Sequence, residues 1–454
     1  MPTFPLITHE SAESIIAWCD GKPISAGRFL AHVAQVRACL PAGGHMLNIC
    51  GDRYRFMVGL AAAMTAGKIS LLPSTQTPET IRQLLKFAPD AFCLSDVAET
   101  AVALPLCDFP ALDDAQVEQL TFEPPRIDAS QCVAYVFTSG STGVPVPHPK
   151  SWGALVRNVQ AEARLCGMAD GRSHSVIGTV PPQHMYGFES TVLLVMQSAN
   201  ALVAGQTFYP ADICQALSVA PRPRTLVTTP IHLRSLLGAG RDVPPADLVM
   251  SATAPLSPAL AGEAETCFGA PLIEIYGSTE TGQIAIRRSA RTQEWQLFAG
   301  LRLEQKDGVS WVSGGHVEMR TPMNDVIERV SEDRFLLHGR MADLVNIAGK
   351  RNSLAYLNLQ LNAIPGVTDG AFFMPDEAEP DGVTRLSAFV VAPGLTPPDL
   401  TAALRERMDP VFLPRPLVFL DALPRNATGK LPREALQQLA RRSLGRSSRS
   451  EESA

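Results

Sequence analysis

The chain has 454 residues, 46% of them hydrophobic and 19% charged, with a formal net charge of −6. That length accommodates two or three domains around an ample core, and the composition is that of a globular protein. The acidic balance, with no long basic run before the tail, removes the electrostatic case for a nucleic-acid partner.

Met1–Glu10 has no basic segment leading into an apolar run, so no signal peptide is expected. Residues 1 to about 128 alternate strand-like runs (His45–Ile49, Ile69–Leu72, Ala91–Leu94) with helical patterns at Ala26–Leu40, Tyr54–Ala66 and Pro78–Phe87. Strands separated by helices imply parallel pairing, with substrate sites at the carboxyl ends of the strands. The longest apolar stretch, Met57 to Gly67, is too short to cross a bilayer, so no membrane association is expected. Nine scattered cysteines, without Cys-x-x-Cys or Cys/His ligand spacing, suit reduced thiols in a cytoplasmic protein.

The most informative stretch is Tyr135–Gly143, where an apolar strand leads into Thr138, Ser139, Gly140, Ser141, Thr142 and Gly143. Glycines let backbone amides approach an anion and the hydroxyls add donors, so the loop reads as a phosphate cradle. A Gly/Ser/Thr cluster is also the composition of an ordinary polar loop. It is not the nucleotide loop that ends in Gly-Lys-Ser/Thr, and no Gly-x-Ser-x-Gly elbow supports a hydrolase.

The strand–helix rhythm continues through Ser175–Val180, Ala201–Val203, Thr225–Thr228 and Leu248–Ser251. Pro181–Gly187 places His184 and Tyr186 after two prolines, as in a pocket wall, although His184 could equally be a packed core histidine. Further on, Tyr276-Gly277-Ser278-Thr279-Glu280 follows the strand Pro271–Ile275. Tyr276 could stack on a base, and Thr279 with Glu280 could hold hydrated magnesium. The plain alternative is a strand-to-helix turn capped by Ser278 or Thr279. From Gln283 to Pro322 short strands, glycine turns, Trp295 and Trp311 mark a small β unit. A smaller α+β unit follows, with strands at Gly370–Met374 and Leu386–Val391 and a helix at Pro398–Arg407. Leu423–Arg433 sets Lys430 at the tip of a Pro/Gly-punctuated loop, a place suited to reaching into a site. The Arg/Ser/Glu-rich tail from Ala440 has no periodicity and reads as disordered.

Taken in order, these segments resemble the motif set of the adenylate-forming superfamily: acyl- and aryl-CoA synthetases, peptide-synthetase adenylation domains and luciferases. Thr138–Gly143 is similar to its phosphate loop, Pro181–Gly187 to its Pro-x-x-His-x-x-Gly segment, and Ser251–Leu256 to its Gly-Gly-Ala-Pro-Leu turn. Tyr276–Glu280 resembles the Tyr-Gly-x-Thr-Glu motif, Gly339–Arg351 the hinge and following loop, and Pro424–Lys430 the catalytic-lysine loop. The matches run from about residue 130 to 433. The short N-terminal and β regions are similar to the compact ligases of aryl-polyene and related pigment pathways.

The resemblance implies an α/β fold with a large N-terminal core (1–340) and a small α+β C-terminal domain. The core would comprise α/β halves at about 1–128 and 129–282 and a β subdomain at about 283–335. Residues 341–439 would form the mobile domain and 440–454 the disordered tail. It implies an ATP-dependent acid–thiol ligase: a carboxylate attacks the α-phosphorus, pyrophosphate leaves, and the acyl-adenylate passes to a phosphopantetheine thiol of CoA or an acyl carrier protein. On that reading Thr138–Gly143 holds the β- and γ-phosphates, Glu280 magnesium, and Thr279 the α-phosphate. Thr253 and Tyr276 line the nucleotide, and Asp325 with Arg340 binds the ribose. His184, Tyr186, Gly187, Ser251, Ala252, Gly277 and Ser278 line the acid pocket. Lys430 bridges the carboxylate and the α-phosphate. Asp343 is the hinge of domain alternation, and Gly349 and Lys350 line the thiol tunnel.

One departure stands out. Where the family shows Gly-x-Pro-Lys, this chain has Gly143-Val144-Pro145-Val146, leaving His148 or Lys150 as the candidates to replace the loop lysine. With no cation assignable to a second substrate charge, the acid is expected to be a mono-acid, of hydroxybenzoate or cinnamate type. The rivals are a medium-chain fatty acyl-CoA synthetase, an adenylate-only ligase, and a non-catalytic nucleotide-binding regulator.

Overall fold

The computed structural model describes residues 2–73, 75–98, 100, 102–113, 122–139, 145–340, 344–347, 350–375, 386–426 and 429–451. The side chains of Ser139, Arg340, Leu344, Asn346, Lys350, Arg351 and residues 443–451 also lie outside the description.

Two large sheets organise the core. The first has six strands in the order Pro145–Ser151, Cys132–Ser139, Ile69–Leu72, His45–Asn48, Phe92–Ser95, Leu106–Asp108. All its pairs are parallel except the first, an antiparallel hairpin. The second has eleven strands, and its central strands Ser175–Gly178, Arg224–Thr228, Leu248–Ser251 and Leu272–Ser278 run parallel. Between them lies Arg53–Thr65, a helix apolar on nearly every side; eleven of its thirteen residues are buried, the mark of a helix enclosed by protein on all faces. Local chemistry starts the helices: Ser25, Asp52, Thr77, Ser151, Thr229 and Ser257 each accept an amide of the following first turn. No described helix is long and apolar enough to cross a membrane.

The halves differ from a division at residue 128. Strand Ile15–Cys19 crosses to the second sheet, pairing with Ala201–Val203, while Cys132–Ser139 and Pro145–Ser151 belong to the first. Strand partners are chosen by three-dimensional edge matching, which sequence order does not reveal. Of the β region, Gly282–Arg287, Trp295–Leu297, Asp325–Arg329 and Arg334–Arg340 extend the large sheet. Only Leu301–Lys306, Val309–Gly314 and Val317–Met323 form a separate three-stranded sheet.

The C-terminal unit has its own core, in which Leu357, Leu361, Phe372, Ala388, Val390 and Leu400 are at most 2% exposed. Its strands Asp369–Phe373, Ser387–Val391 and Leu417–Phe419 form one sheet. The tail differs from the expectation of disorder: helix Arg433–Glu451 runs through it. Its Arg, Glu, Gln and Leu are good helix formers, and the single interior glycine is tolerated, so lack of apolar periodicity did not mean lack of helix.

A polar cluster lies inside the large N-terminal core. Glu162, in helix Trp152–Leu165, is fully buried, with Ser190 and Gln283 the polar side chains that act on its carboxyl. Gln283 and Ser190 nearby bond to each other, at 2.7 Å. Burial pushes the Glu162 carboxyl up from 4.5 to about 8, with Ser190 and Gln283 offsetting only part. The native state therefore keeps a proton that the unfolded chain loses above pH 4.5, so stability falls as pH rises from about 4.5 to about 8. Glu162→Gln removes that cost. It should match the parent near pH 4.5 and exceed it at pH 8 by on the order of 2–4 kcal/mol, read as the difference in denaturation midpoints across the pH series.

Candidate active site

The carboxyl ends of four parallel strands converge on one region, where ligands sit in sheets of this kind. Ser175–Gly178 leads into Thr179–Gly187, Arg224–Thr228 into Thr229–Ile231, Leu248–Ser251 into Ala252–Pro255, and Leu272–Ser278 into Thr279–Thr281.

On the pocket side, His184 caps the short helix Met185–Gly187 through its Nδ1, which accepts the Tyr186 amide at 3.3 Å. Burial holds its imidazole far below the usual range, to about 3, and the positive charge of Lys430 lowers it further. His184 is thus a neutral wall, and Lys430 is near enough to act on it. Tyr186 is 6% exposed, and among the described residues neither its hydroxyl nor the buried Ser251 Oγ has a hydrogen-bond partner. Gly187 approaches the Pro181 carbonyl so closely that an added Cβ would lie 2.2 Å from it, so no other residue fits without moving backbone. Ala252 is buried beside Ser251.

On the nucleotide side, Tyr276 packs against Trp295 and Phe335, with centroids 5.4 and 5.9 Å apart, and its hydroxyl donates to Asp325 Oδ2 at 2.6 Å. Asp325 pairs in register with Arg340 across the strands, so the three residues expected at the base and ribose do come together. Thr253 holds φ 78, a left-handed conformation rare for a β-branched residue and characteristic of functional turns.

Tyr276–Gly282 is a strand-to-strand turn, not a helix start. Gly277 lies against the Gly282 carbonyl, and the Ser278 and Thr281 hydroxyls bond each other at 3.1 Å, so the cap alternative fails. Burial works against ionisation of Glu280, but its own amide, the Ser278 hydroxyl and nearby His148 and Lys150 outweigh it and hold the carboxyl below its ordinary range. An ionised, half-exposed carboxylate suits magnesium, which takes one or two protein carboxylates and keeps other positions for phosphate and water. Among the described residues no group of three or more His, Cys, Asp or Glu could hold a metal alone.

Lys430 arrives from the other unit. Gly429 (φ 76) sits so close to the core that an added Cβ would lie 2.6 Å from Ile231 Cγ2. Arg425 forks onto Asp369 with two bonds of 2.7 Å and donates to the Gly429 carbonyl at 2.9 Å. Arg234 of the core lies 4.0 Å from the same Asp369. Of the phosphate cradle, Thr138 is described, and Ser139 by its backbone, which ends strand Cys132–Ser139. Gly140, Ser141, Thr142, Gly143, Asp343 and Gly349 lie outside the described residues, and Lys350 is described only as the first residue of strand Lys350–Ser353. The sequence reading missed Glu162, Glu189, Arg53 and Arg234. A glutamate among the apolar positions Val156, Val159 and Ala163 was the one available signal for Glu162.

The loops at the carboxyl edge of the sheet, Tyr276 bonded to Asp325, and Lys430 on a loop of the C-terminal unit lie at the positions of the motifs that resemble those of adenylate-forming proteins. The chain belongs to the AMP-binding enzyme family, whose profile matches residues 28–302. It is 33% identical over 297 residues to a 4-coumarate–CoA ligase of Rhodobacter capsulatus, covering 64% of this chain and 73% of that one. It is 24% identical over 374 residues to a 4-chlorobenzoate–CoA ligase of an Arthrobacter species, covering 70% and 67%. The fold is similar to ATP-bound MatB from Rhodopseudomonas palustris, with a TM-score of 0.79 at 18% identity over 95% of this chain and 97% of that one.

Asp325→Ala should remove the charged acceptor while leaving the fold intact, since the side chain is only half-buried. Losing a hydrogen bond to a charged group should weaken ATP binding by roughly tenfold or more, measured by calorimetry beside an unchanged melting temperature.

Proposed function

We propose that the chain is an ATP-dependent acid–thiol ligase. It activates an aromatic mono-acid, of hydroxybenzoate or cinnamate type, to the acyl-adenylate. It then passes the acyl group to a phosphopantetheine thiol, of CoA or a carrier protein, with release of AMP.

The observation that carries the reading is the seating of the Lys430 loop against the core, beside His184. Attack of a carboxylate on the α-phosphorus brings two anions together, and negative charge spreads over the phosphoryl oxygens. Lys430 supplies the cation there, with Thr279 donating to the α-phosphate. Glu280 would hold magnesium, which when bound neutralises charge on the phosphate tail. Asp325 and Arg340 fix the ribose, and Tyr276 positions Asp325. After adenylation, rotation about Asp343 would withdraw Lys430 and bring Gly349 and Lys350 to the thiol path.

The aromatic preference rests on Tyr186 and on the kinship with aryl-CoA ligases. A buried hydroxyl without a partner is costly unless the ligand completes it. A phenolic hydroxyl on an otherwise flat, apolar acid would do so. His184, held neutral, gives no charge to a second carboxylate.

Acid-dependent pyrophosphate exchange across benzoates, cinnamates, fatty acids and dicarboxylates tests the reading. Hydroxyaryl acids should lead, and Tyr186→Phe should reduce their advantage over the unsubstituted acids by about tenfold. Exchange with no acid would leave a nucleotide-binding protein without the activity. Lys430→Ala should lower adenylate formation by roughly 10²–10³-fold and spare thioester formation from supplied adenylate; equal loss of both half-reactions would remove the assignment. Gly349→Leu should spare exchange and block transfer, and the rates with free CoA and with a holo carrier protein decide the acceptor.

A further inference from the structure

Strands Cys132–Ser139 and Pro145–Ser151 form the hairpin bearing the phosphate cradle, with Val146 opposite Thr138 and His148 opposite Val136. Side chains two apart on a strand share a face, so Val146, His148 and Lys150 point the same way. They end in three different surroundings. Val146, at the position of the motif lysine, is 44% exposed and has no polar atom to offer. Lys150 is 8% exposed; its ammonium donates to the Thr279 carbonyl, and its charge faces Glu189, Glu280 and Glu318. His148 reaches back along the strand, with Nε2 2.9 Å from Thr138 Oγ1 and 3.9 Å from Glu280 Oε1. Its ring nitrogen therefore stands beside the residue that pairs with position 146.

We propose that His148 is the phosphate-binding donor this chain uses in place of the motif lysine, and that Lys150 is a positioning residue for the turn carrying Thr279 and Glu280. The proposal rests on the ATP-dependent reading above. Lys150 is committed elsewhere. To reach a phosphate it would leave a buried site, strip Glu189 of its nearest cation and free the Thr279 carbonyl, and breaking such a buried charge arrangement costs more than a surface phosphate contact returns. His148 gives up nothing comparable. Its two neighbours are a hydroxyl of the cradle, which can donate to or accept from the ring, and a carboxylate assigned to the metal; in the tautomer with its proton on Nε2 the ring would present an N–H between the groups expected to face the phosphate tail. Glu280 and Lys150 are the charged groups that act on the ring.

Calorimetry on the full chain with magnesium, comparing ATP with AMP, tests this, because AMP lacks the phosphates His148 would touch. His148→Ala should weaken ATP binding by about tenfold and leave AMP binding unchanged. Adding Val146→Lys to His148→Ala should restore ATP binding, since it returns a cation to the motif position. His148→Gln keeps an N–H donor and should fall between parent and alanine variant, which guards against a folding defect in the latter. Unchanged ATP affinity in His148→Ala, equal loss for ATP and AMP, or no rescue by Val146→Lys would overturn the assignment of His148. A parent protein that binds neither nucleotide would instead overturn the ATP-dependent reading itself.

Discussion

Gly429 meets the core at a distance that leaves no room for a side chain, and the proposed role of Lys430 depends on that approach. Gly429 takes a left-handed conformation against Ile231, so the loop can lie flat on the start of helix Pro230–Leu237 and present the next residue to the pocket. The Asp369 carboxylate, forked by Arg425 and approached by Arg234, fixes the same loop from its other end. The described contact joins the glycine, the shared carboxylate and the packing of helix Leu354–Asn362 against strand Arg334–Arg340, with separate apolar cores on either side. Separate apolar cores would let the two units part without opening either one, which the proposed domain alternation would require.

The charge pattern follows from that seating. A cation that approaches a buried imidazole keeps it neutral, and His184 feels both burial and Lys430. The pocket wall therefore offers shape and hydrogen bonding, while positive charge is confined to the phosphate side. Glu280 shows the opposite balance, its carboxyl kept ionised by its own amide, the Ser278 hydroxyl and neighbouring cations. On the proposed reading this would separate an uncharged region for the acid's body from a charged one for the reacting groups.

Much of this was legible in the sequence, for identifiable reasons. Pro78–Phe87 appears with the bounds expected because an amphipathic pattern follows the Thr77 cap and Pro78, and Ala201–Val203 and Leu248–Ser251 do so because each is a short apolar run. The Tyr276–Asp325–Arg340 grouping was legible through motif spacing, although 49 residues separate Tyr276 from Asp325. What was not legible depends on partners distant in sequence. Ile15–Cys19 crosses to the second sheet, and the phosphate hairpin sits at an edge of the first, because edge pairing is decided by geometry. The π-helical turn Phe188–Leu193 is another case: nothing in its residues signals the wider turn, which appears where Glu189, Ser190 and Thr191 pack inward.

That turn joins the two sides of the site. Glu189 projects from it into the core, accepts from Asn158 Nδ2 at 2.6 Å, and faces Lys150, whose ammonium in turn holds the Thr279 carbonyl. Burial pushes the Glu189 carboxyl upward and the Lys150 ammonium downward, and each favours the charged form of the other, so neither is indifferent to the other's place. A buried pair of this sort adds little net stability over an apolar substitute, but removing one member leaves the other stranded. It is therefore better understood as a constraint than as a glue. The helix that begins with the pocket wall at Met185 cannot shift without moving Glu189, and Glu189 cannot move without disturbing the turn that carries Glu280. A chain that has lost its motif lysine at 146 still keeps a cation on the same strand face, buried where it ties the acid side to the phosphate side.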